Sequence, residues 1–129
     1  MANLRRFTLK DDWKDWDITL EVNLDQLTAE RATLINEFWS GHDDRLDDAN
    51  GDVVDAVIKL AAERLVYAFL ERGGAHVSDG AQSKIWTQQD LHDQEGWGGT
   101  EDGNPFGWCG IRLVTADVQV DLDLEFQED

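Results

Sequence analysis

Two histidine–aspartate pairs are the residues whose types could bind a metal or catalyse a reaction. His42 precedes Asp43, and His92 precedes Asp93. Imidazole and carboxylate groups are common ligands of divalent metals. One hypothesis is therefore a metal-binding module or enzyme that uses His42, Asp43, Asp44 and His92. Surface histidines among solvated acids are the favoured interpretation, because such pairs arise easily by chance. We predict no catalytic residue, no metal and no cofactor.

The segment 43–55 also suggests calcium, because Asp48, Asn50 and Gly51 match positions three, five and six of an EF-hand loop. Leu46 and Val57 would then occupy positions one and twelve, where neither side chain can ligate. A solvated acidic connection between two helices is the favoured interpretation. The sequence also lacks a nucleophile elbow, a phosphate-binding loop and a dinucleotide-binding fingerprint.

Acidic residues dominate the chain, with 28 Asp and Glu against 11 Lys and Arg and a formal charge of −17 over 129 residues. Only two bases, Lys84 and Arg112, lie within residues 73–129. Nucleic acids and anionic membranes are disfavoured as partners, since binding either one requires a Lys/Arg surface. The charge favours instead a basic protein surface as the partner.

Two groups of carboxylates are the strongest candidates for contacting such a partner. The first follows one face of the last predicted strand and comprises Asp117, Asp121, Asp123 and Glu125. Alternate residues on a strand lie roughly 6.5–7 Å apart, so this row could imitate the phosphates of DNA. The second group comprises Asp43, Asp44, Asp47 and Asp48. The competing interpretation of the row is a solvated face that keeps the strand from aggregating.

Aromatic residues in a glycine-rich segment, 96–110, permit a second kind of contact. Trp97, Phe106 and Trp108 lie among six glycines, a density that excludes a regular element. The rings could stack on a sugar or a base, but a cover that folds over the core is favoured. Exposed tryptophan is also frequent at protein interfaces. On that ground Trp13, in the connection between two strands, and Trp97 are included among the predicted partner contacts.

Hydrophobic periodicity predicts an α+β fold. Residues 4–10 and 16–24 alternate as a β-hairpin, 27–41 and 52–72 have helical spacing, and 75–95 contain a short helix. Residues 111–126 alternate again, but their parity reverses across 115–117, which indicates a β-bulge or a tight turn. We expect one domain over 1–129, ordered ββαα(α)β. Its antiparallel sheet comprises the N-terminal hairpin and one or more C-terminal strands, with two to three helices on one face.

The helical patterns also predict which side chains are buried. In the first helix the predicted buried stripe is Leu34, Ile35, Phe38 and Trp39. In the second it extends from Val53 to Phe69 and includes Tyr67. Thr28 and Asp52 are the predicted N-caps.

Cys109 is the single cysteine, so no intrachain disulfide can form, and we expect it to pack in the core. A reducing cytoplasm is the simplest location. No apolar run approaches the roughly 18 residues of a membrane span, and the first ten residues do not read as a secretory signal.

Three segments carry a resemblance to a known group of proteins. They are Arg5-Arg6-Phe7-Thr8 through Trp13-Lys14-Asp15-Trp16, Ile35 through Gly41, and Asp52-Val53-Val54. The chain resembles a small uncharacterised family encoded by bacteria and their phages or other mobile elements. The resemblance implies a phage or mobile-element accessory protein, and it assigns no catalytic residues. Several small acidic proteins of that kind inhibit host nucleases, restriction enzymes or CRISPR complexes.

These observations predict a non-catalytic acidic protein that engages a basic partner, in its sharpest form by mimicking DNA in the groove of a host defence complex. Besides the metal-binding alternative, a structural homo-oligomer is possible, in which Trp13 and a sheet edge pair two copies.

Overall fold

The computed structural model describes residues 3–11 and 16–119, and these form an α+β fold around an antiparallel sheet. The elements in chain order are β1 (Leu4–Asp11), β2 (Trp16–Asn23), α1 (Ala29–Phe38), α2 (His42–Asp48), α3 (Val53–Glu71), β3 (Gly74–Val77), α4 (Ala81–Thr87), a π-helical turn (Gln88–His92) and β4 (Ile111–Gln119). The strand order is β1-β2-β4-β3. The predicted fold class is confirmed, and the first two strands have the predicted positions.

The buried face of the sheet follows from the alternation in β2, where Ile18, Leu20 and Val22 are all buried. Leu20 pairs with Phe7 on one side and with Leu113 on the other. Helix α3 contacts the sheet strands β2, β3 and β4, and α1 packs against α3. The core therefore lies between the sheet and these two helices.

Strand β4 contains the irregularity that the sequence predicted. Leu113 pairs with Leu20, whereas Thr115 pairs with Thr19, so Val114 is an extra residue in β4. Both Leu113 and Val114 are buried, and the parity of the buried positions changes here. A β-bulge is thus confirmed, slightly before the predicted position. The predicted continuation to Phe126 lies outside the described residues.

Helix α3 closely matches its prediction. The Asp52 carboxylate accepts hydrogen bonds from the backbone N–H groups of Val54 and Asp55, at 3.1 and 3.2 Å. Val57, Leu65 and Phe69 are fully buried, as the spacing predicts. Tyr67 is wrongly predicted, since it is 62% exposed at the outer edge of the stripe.

Helix α1 is rotated relative to its prediction. Thr28 caps it, accepting a hydrogen bond from the Arg31 backbone N–H at 3.2 Å. Its buried residues are Ala32, Ile35 and Asn36. Leu34 and Phe38 were predicted to be buried but are exposed. The apolar pattern misleads here because the buried face includes a polar residue, Asn36, whose amide is satisfied by hydrogen bonds within the fold.

Strand β3 was not predicted. It has only four residues, and it begins at Gly74, the second of the two glycines that follow α3. It pairs with residues 116–119 of β4. Beyond it, the Leu113 backbone N–H donates to Thr87 Oγ1 at 2.9 Å, so α4 continues the hydrogen bonding of β4 where β3 ends. A strand this short is too brief for an alternating pattern to reveal.

The segment 96–110 contains no helix or extended strand, as predicted, yet it is packed into the fold. Trp97 is completely buried, and Phe106 and Cys109 are also buried. At three positions, including Gly98 and Gly107, glycine is required by a ring in contact with the backbone. A Cβ at Gly98 would overlap the Trp108 ring, and one at Gly107 would lie 2.6 Å from His92 Nδ1. The interpretation of this segment as a cover over the core is confirmed.

Candidate acidic interface

Every arginine of the chain makes a contact inside the fold. Three of the seven form ion pairs: Arg6 with Glu21 at 3.1 Å, Arg72 with Asp90 at 3.0 Å, and Arg112 with both Glu21 and Asp79 at 2.9 and 3.0 Å. Partial burial favours the protonated form of Glu21. Nevertheless, hydrogen bonds from the two guanidinium groups lower its pKa. The positive charge of these three arginines is therefore matched by carboxylates.

The other four arginines contact rings or carbonyl oxygens. Arg5 lies over the Phe7 ring, and Arg64 lies 4.4 Å from the centroid of the Trp39 ring. Arg31 stacks on Trp108 at 4.6 Å and donates to the Trp108 carbonyl oxygen at 2.8 Å. Within the described part of the chain, none of these four forms an ion pair. They stabilise the fold without neutralising an acid.

Arg45 is the anchor of helix α2. Its Nε donates to Asn36 Oδ1 at 2.8 Å, and its terminal nitrogens donate to the carbonyl oxygens of Asn36, Trp39 and Ser40 at 2.7–3.0 Å. These carbonyl groups lie at the end of α1, where a helix leaves acceptors unsatisfied. The Asn36 amide in turn donates to the His42 carbonyl oxygen at 3.2 Å. One inward-facing cation thus fixes α2 to α1.

Helix α2 presents the predicted carboxylates to solvent. Asp43, Asp44, Asp47 and Asp48 are all exposed, and the helix has no buried residue. Of these, only Asp43 has an ion-pair partner among the residues described, since its carboxylate lies 3.4 Å from His42 Nε2. The prediction of an acidic connection between two helices was incomplete, because the first part of 43–55 is itself a helix. A short helix with no apolar face has no hydrophobic periodicity to predict it.

The structure describes one residue of the predicted carboxylate row. Asp117 lies in β4 between Asp17 and His76 on the neighbouring strands. Its carboxylate is 3.8 Å from His76 Nδ1 and accepts a hydrogen bond from the Gln119 amide at 3.3 Å. Asp121, Asp123 and Glu125 lie outside the described residues, as does Trp13. The candidate surface that the structure describes is therefore α2.

Trp97 requires a correction as a partner contact. It was included because tryptophan is frequent at interfaces, but its side chain is completely enclosed in the core. A partner cannot reach the indole while the fold is intact. The glycines around it allow the chain to bend inward, and the large apolar ring makes that burial favourable.

The two histidines of the metal hypothesis have different environments. His42 is at the start of α2, whereas His92 is buried and its Nε2 lies 2.6 Å from the Ile111 carbonyl oxygen. Because a carbonyl only accepts, Nε2 carries the proton; burial lowers the pKa of His92. Within residues 3–11 and 16–119, no three His, Cys, Asp or Glu side chains form a group that could hold a metal ion.

Cys109 has no environment that would activate a thiol. Burial raises its pKa to about 12, so it stays protonated at neutral pH. It packs as a small core residue, as predicted. Across the described ranges, no helix combines the length and apolar character needed to cross a membrane.

Comparison with known proteins identifies relatives over nearly the whole chain. Protein ea10 of Escherichia phage lambda is 30% identical over 121 residues, which cover 92% of this chain and 88% of that protein. The lambda prophage-derived protein ea10 of Escherichia coli O6:H1 matches to the same extent. No solved structure shows a significant match. The predicted resemblance to an uncharacterised phage and mobile-element family is confirmed.

A family model described as a protein of unknown function, DUF2528, matches residues 17–125. This match extends from the second residue of β2 through all of the helices, β3 and β4. The chain therefore belongs to the DUF2528 family.

Proposed function

We propose that this chain is a non-catalytic phage or mobile-element accessory protein that binds a basic surface of a partner protein. The observation that carries this proposal is the arrangement of α2. Its single arginine faces inward onto the end of α1, and its four aspartates face outward without a neutralising arginine or lysine among the described residues. Such a surface attracts a basic partner over a distance and accelerates association.

The sharper form of the proposal is that the partner binds nucleic acid and that α2 occupies its DNA-binding groove. The relatives in a phage and a prophage support this form, because such elements encounter host defence complexes that carry basic grooves. Carboxylates at one end of the molecule would replace phosphates in that groove. The protein would then inhibit its partner by competition and without chemistry.

The test is a salt-dependent pull-down from host lysate with two charge-matched variants. The first replaces Asp44, Asp47 and Asp48 by Asn. The control removes three exposed acids from other parts of the molecule, through Asp25→Asn, Glu71→Gln and Asp102→Asn. The proposal expects the α2 variant to lose about tenfold or more of the affinity at low salt, while the control loses much less.

Added duplex DNA tests the sharper form. If the partner uses one groove for both ligands, DNA displaces the wild-type protein from it. Equal losses in the two variants would show that bulk charge is sufficient and would contradict the role of α2. If added DNA does not reduce capture of the partner, DNA mimicry is contradicted, whereas the role of α2 is not.

A homo-oligomer has one supporting observation. Strand β1 pairs with β2 only, so its other edge is open among the described residues. Open edges can pair with a second copy. Light scattering over a concentration series tests this possibility, and a constant monomer mass would exclude it.

A further inference from the structure

Helix α1 exposes two large apolar side chains that the described part of the fold leaves at least half uncovered. Leu34 is 59% exposed and Phe38 is 50% exposed. Residues four apart on a helix lie on the same face, so the two side chains are neighbours. Single exposed apolar residues are ordinary, whereas neighbouring exposed apolar residues with a polar rim are the pattern that interaction sites share.

The fold prevents this pair from turning inward. Ala32, Ile35 and Asn36 occupy the buried face of α1, and the hydrogen bonds from Arg45 to Asn36 fix the rotation of the helix. The Phe38 ring is held in place as well. It packs on Gly96, where a Cβ would lie only 2.6 Å from the ring, and it contacts the Trp39 ring at 4.8 Å in an edge-to-face arrangement. A ring that is already fixed loses little conformational entropy on binding.

Acidic residues lie on the same helix as this apolar pair and on the segments next to it. Glu30 and Glu37 are exposed on α1 itself. The aspartates of α2 begin five residues after Phe38, and Glu95 is adjacent to the glycine on which the Phe38 ring packs. Three arginines lie near this pair, and each makes a contact within the fold: Arg31 stacks on Trp108, Arg45 binds the end of α1, and Arg64 lies over the Trp39 ring. The patch has an apolar centre and an acidic rim.

We propose that the exposed face of α1 docks a basic amphipathic helix of a partner protein. Apolar side chains of that helix would cover Leu34 and Phe38, while its Lys and Arg side chains would reach the carboxylates of α1 and α2. The charge of the rim selects a cationic partner, and the apolar centre selects against a ligand that is only cationic. This inference rests on the proposed function and deepens it, because it adds a recognition element that electrostatics alone does not supply.

Two synthetic helical peptides of equal length and equal charge test this proposal against the full chain. One carries lysines with leucines at i, i+4 spacing, and the other replaces each leucine by alanine. We expect the wild-type protein to bind the leucine peptide about tenfold more tightly than the alanine peptide, as the burial of one or two large apolar side chains implies. The Leu34→Ala variant should lose most of this preference.

The matched control is Ile85→Ala, which removes a comparably exposed apolar side chain, 53% exposed, from α4. This variant should retain the preference. Leu34→Ala is chosen in place of a change at Phe38, because the Phe38 ring also packs on Gly96 and Trp39. Alanine at an exposed helical position favours folding, so Leu34→Ala should remain folded.

The outcomes separate this inference from the proposed function. Equal affinity for the two peptides, weakened by salt, would overturn docking on α1 and leave the acidic interface intact. An unchanged preference in Leu34→Ala would overturn it too. If neither peptide binds at low salt, both proposals fail.

Discussion

The segment 96–110 and helix α2 both lack hydrophobic periodicity in sequence, but the fold places them oppositely. The glycine-rich segment carries Trp97 into the core, where the indole is completely buried. Helix α2 has no buried residue and presents four aspartates to solvent. The difference shows that a segment without regular structure can be an integral part of a core. A regular helix, by contrast, can be a surface attachment held by one arginine.

Truncation of Trp97 tests the first half of this comparison and has the largest expected effect. Trp97→Ala should lower the free energy of unfolding by about 3–5 kcal/mol, because a fully buried ring would be replaced by a cavity. Chemical denaturation of the purified variant measures the change. A loss below 1 kcal/mol, about the limit for a surface position, would show that the indole is not a core residue in solution.

Two glycines of the same segment provide a matched pair for the next prediction. Both have positive φ angles, +62° at Gly107 and +76° at Gly103, but only Gly107 is pressed against a ring. Gly107→Ala should cost about 3 kcal/mol, combining backbone strain with a clash against His92. Gly103→Ala should cost only about 1–2 kcal/mol, because its surroundings are open. Equal costs, measured by thermal or denaturant unfolding, would refute the ring contact.

Removal of the guanidinium of Arg45 tests the second half of the comparison. Arg45→Gln leaves Asn36 and three carbonyl groups with fewer donors, so we expect a loss of about 2 kcal/mol. The loss should be local: amide hydrogen exchange should accelerate in α2 while α3 stays protected. Arg64→Gln is the control, since Arg64 contacts the Trp39 ring through a cation–π interaction and lies on α3. Uniform acceleration across both helices would contradict the role of Arg45 as a local anchor.

A change of pH is expected to give the smallest effect. It acts on His92, the buried residue against which Gly107 packs. Burial lowers the pKa of His92, and this outweighs the opposite influence of Asp93 and Glu101. The unfolded chain therefore takes up a proton more readily than the folded one, near the ordinary histidine pKa of about 6.5. Stability should be complete above that pH and should decline as the pH falls below it.

Two histidine variants test whether His92 causes this decline in stability. The pH dependence should be absent in His92→Gln and retained in His76→Gln, since the His76 side chain is 74% exposed. Denaturant unfolding at pH 5 and at pH 7.5 is sufficient to measure it. If the free energy of unfolding of His92→Gln still depends on pH to the same extent, another group causes the decline.

Much of the fold was predictable because its signals are local. The alternation in β2, the Asp52 cap and the spacing of α3 each lie within one element, and each was found. The bulge in β4 was predictable for the same reason, since a reversal of parity is visible along a single strand. Strand β3 and helix α2 were missed because each is shorter than the window over which periodicity becomes apparent.

The candidate surfaces were predictable in part. The aspartates of α2 were identified from their density, and their exposure agrees with that prediction. The pair Leu34 and Phe38 was assigned to the core, because an apolar stripe does not reveal which way a helix is rotated. That rotation depends on Asn36 and Arg45, which lie nine residues apart and are joined by a hydrogen bond.

The sequence by itself determined the composition of the molecule's surface and interior: a large excess of acid, enough apolar residues for a core, and the strands and the long helix that enclose it. Only the tertiary structure decided where each charge and ring would lie. All seven arginines contact groups within the fold, and most of these groups are distant in sequence, so their effect on the acidic surface could not be read from spacing. The physical reason is that ion pairs, stacked rings and carbonyl caps require proximity in space, which a linear pattern does not specify.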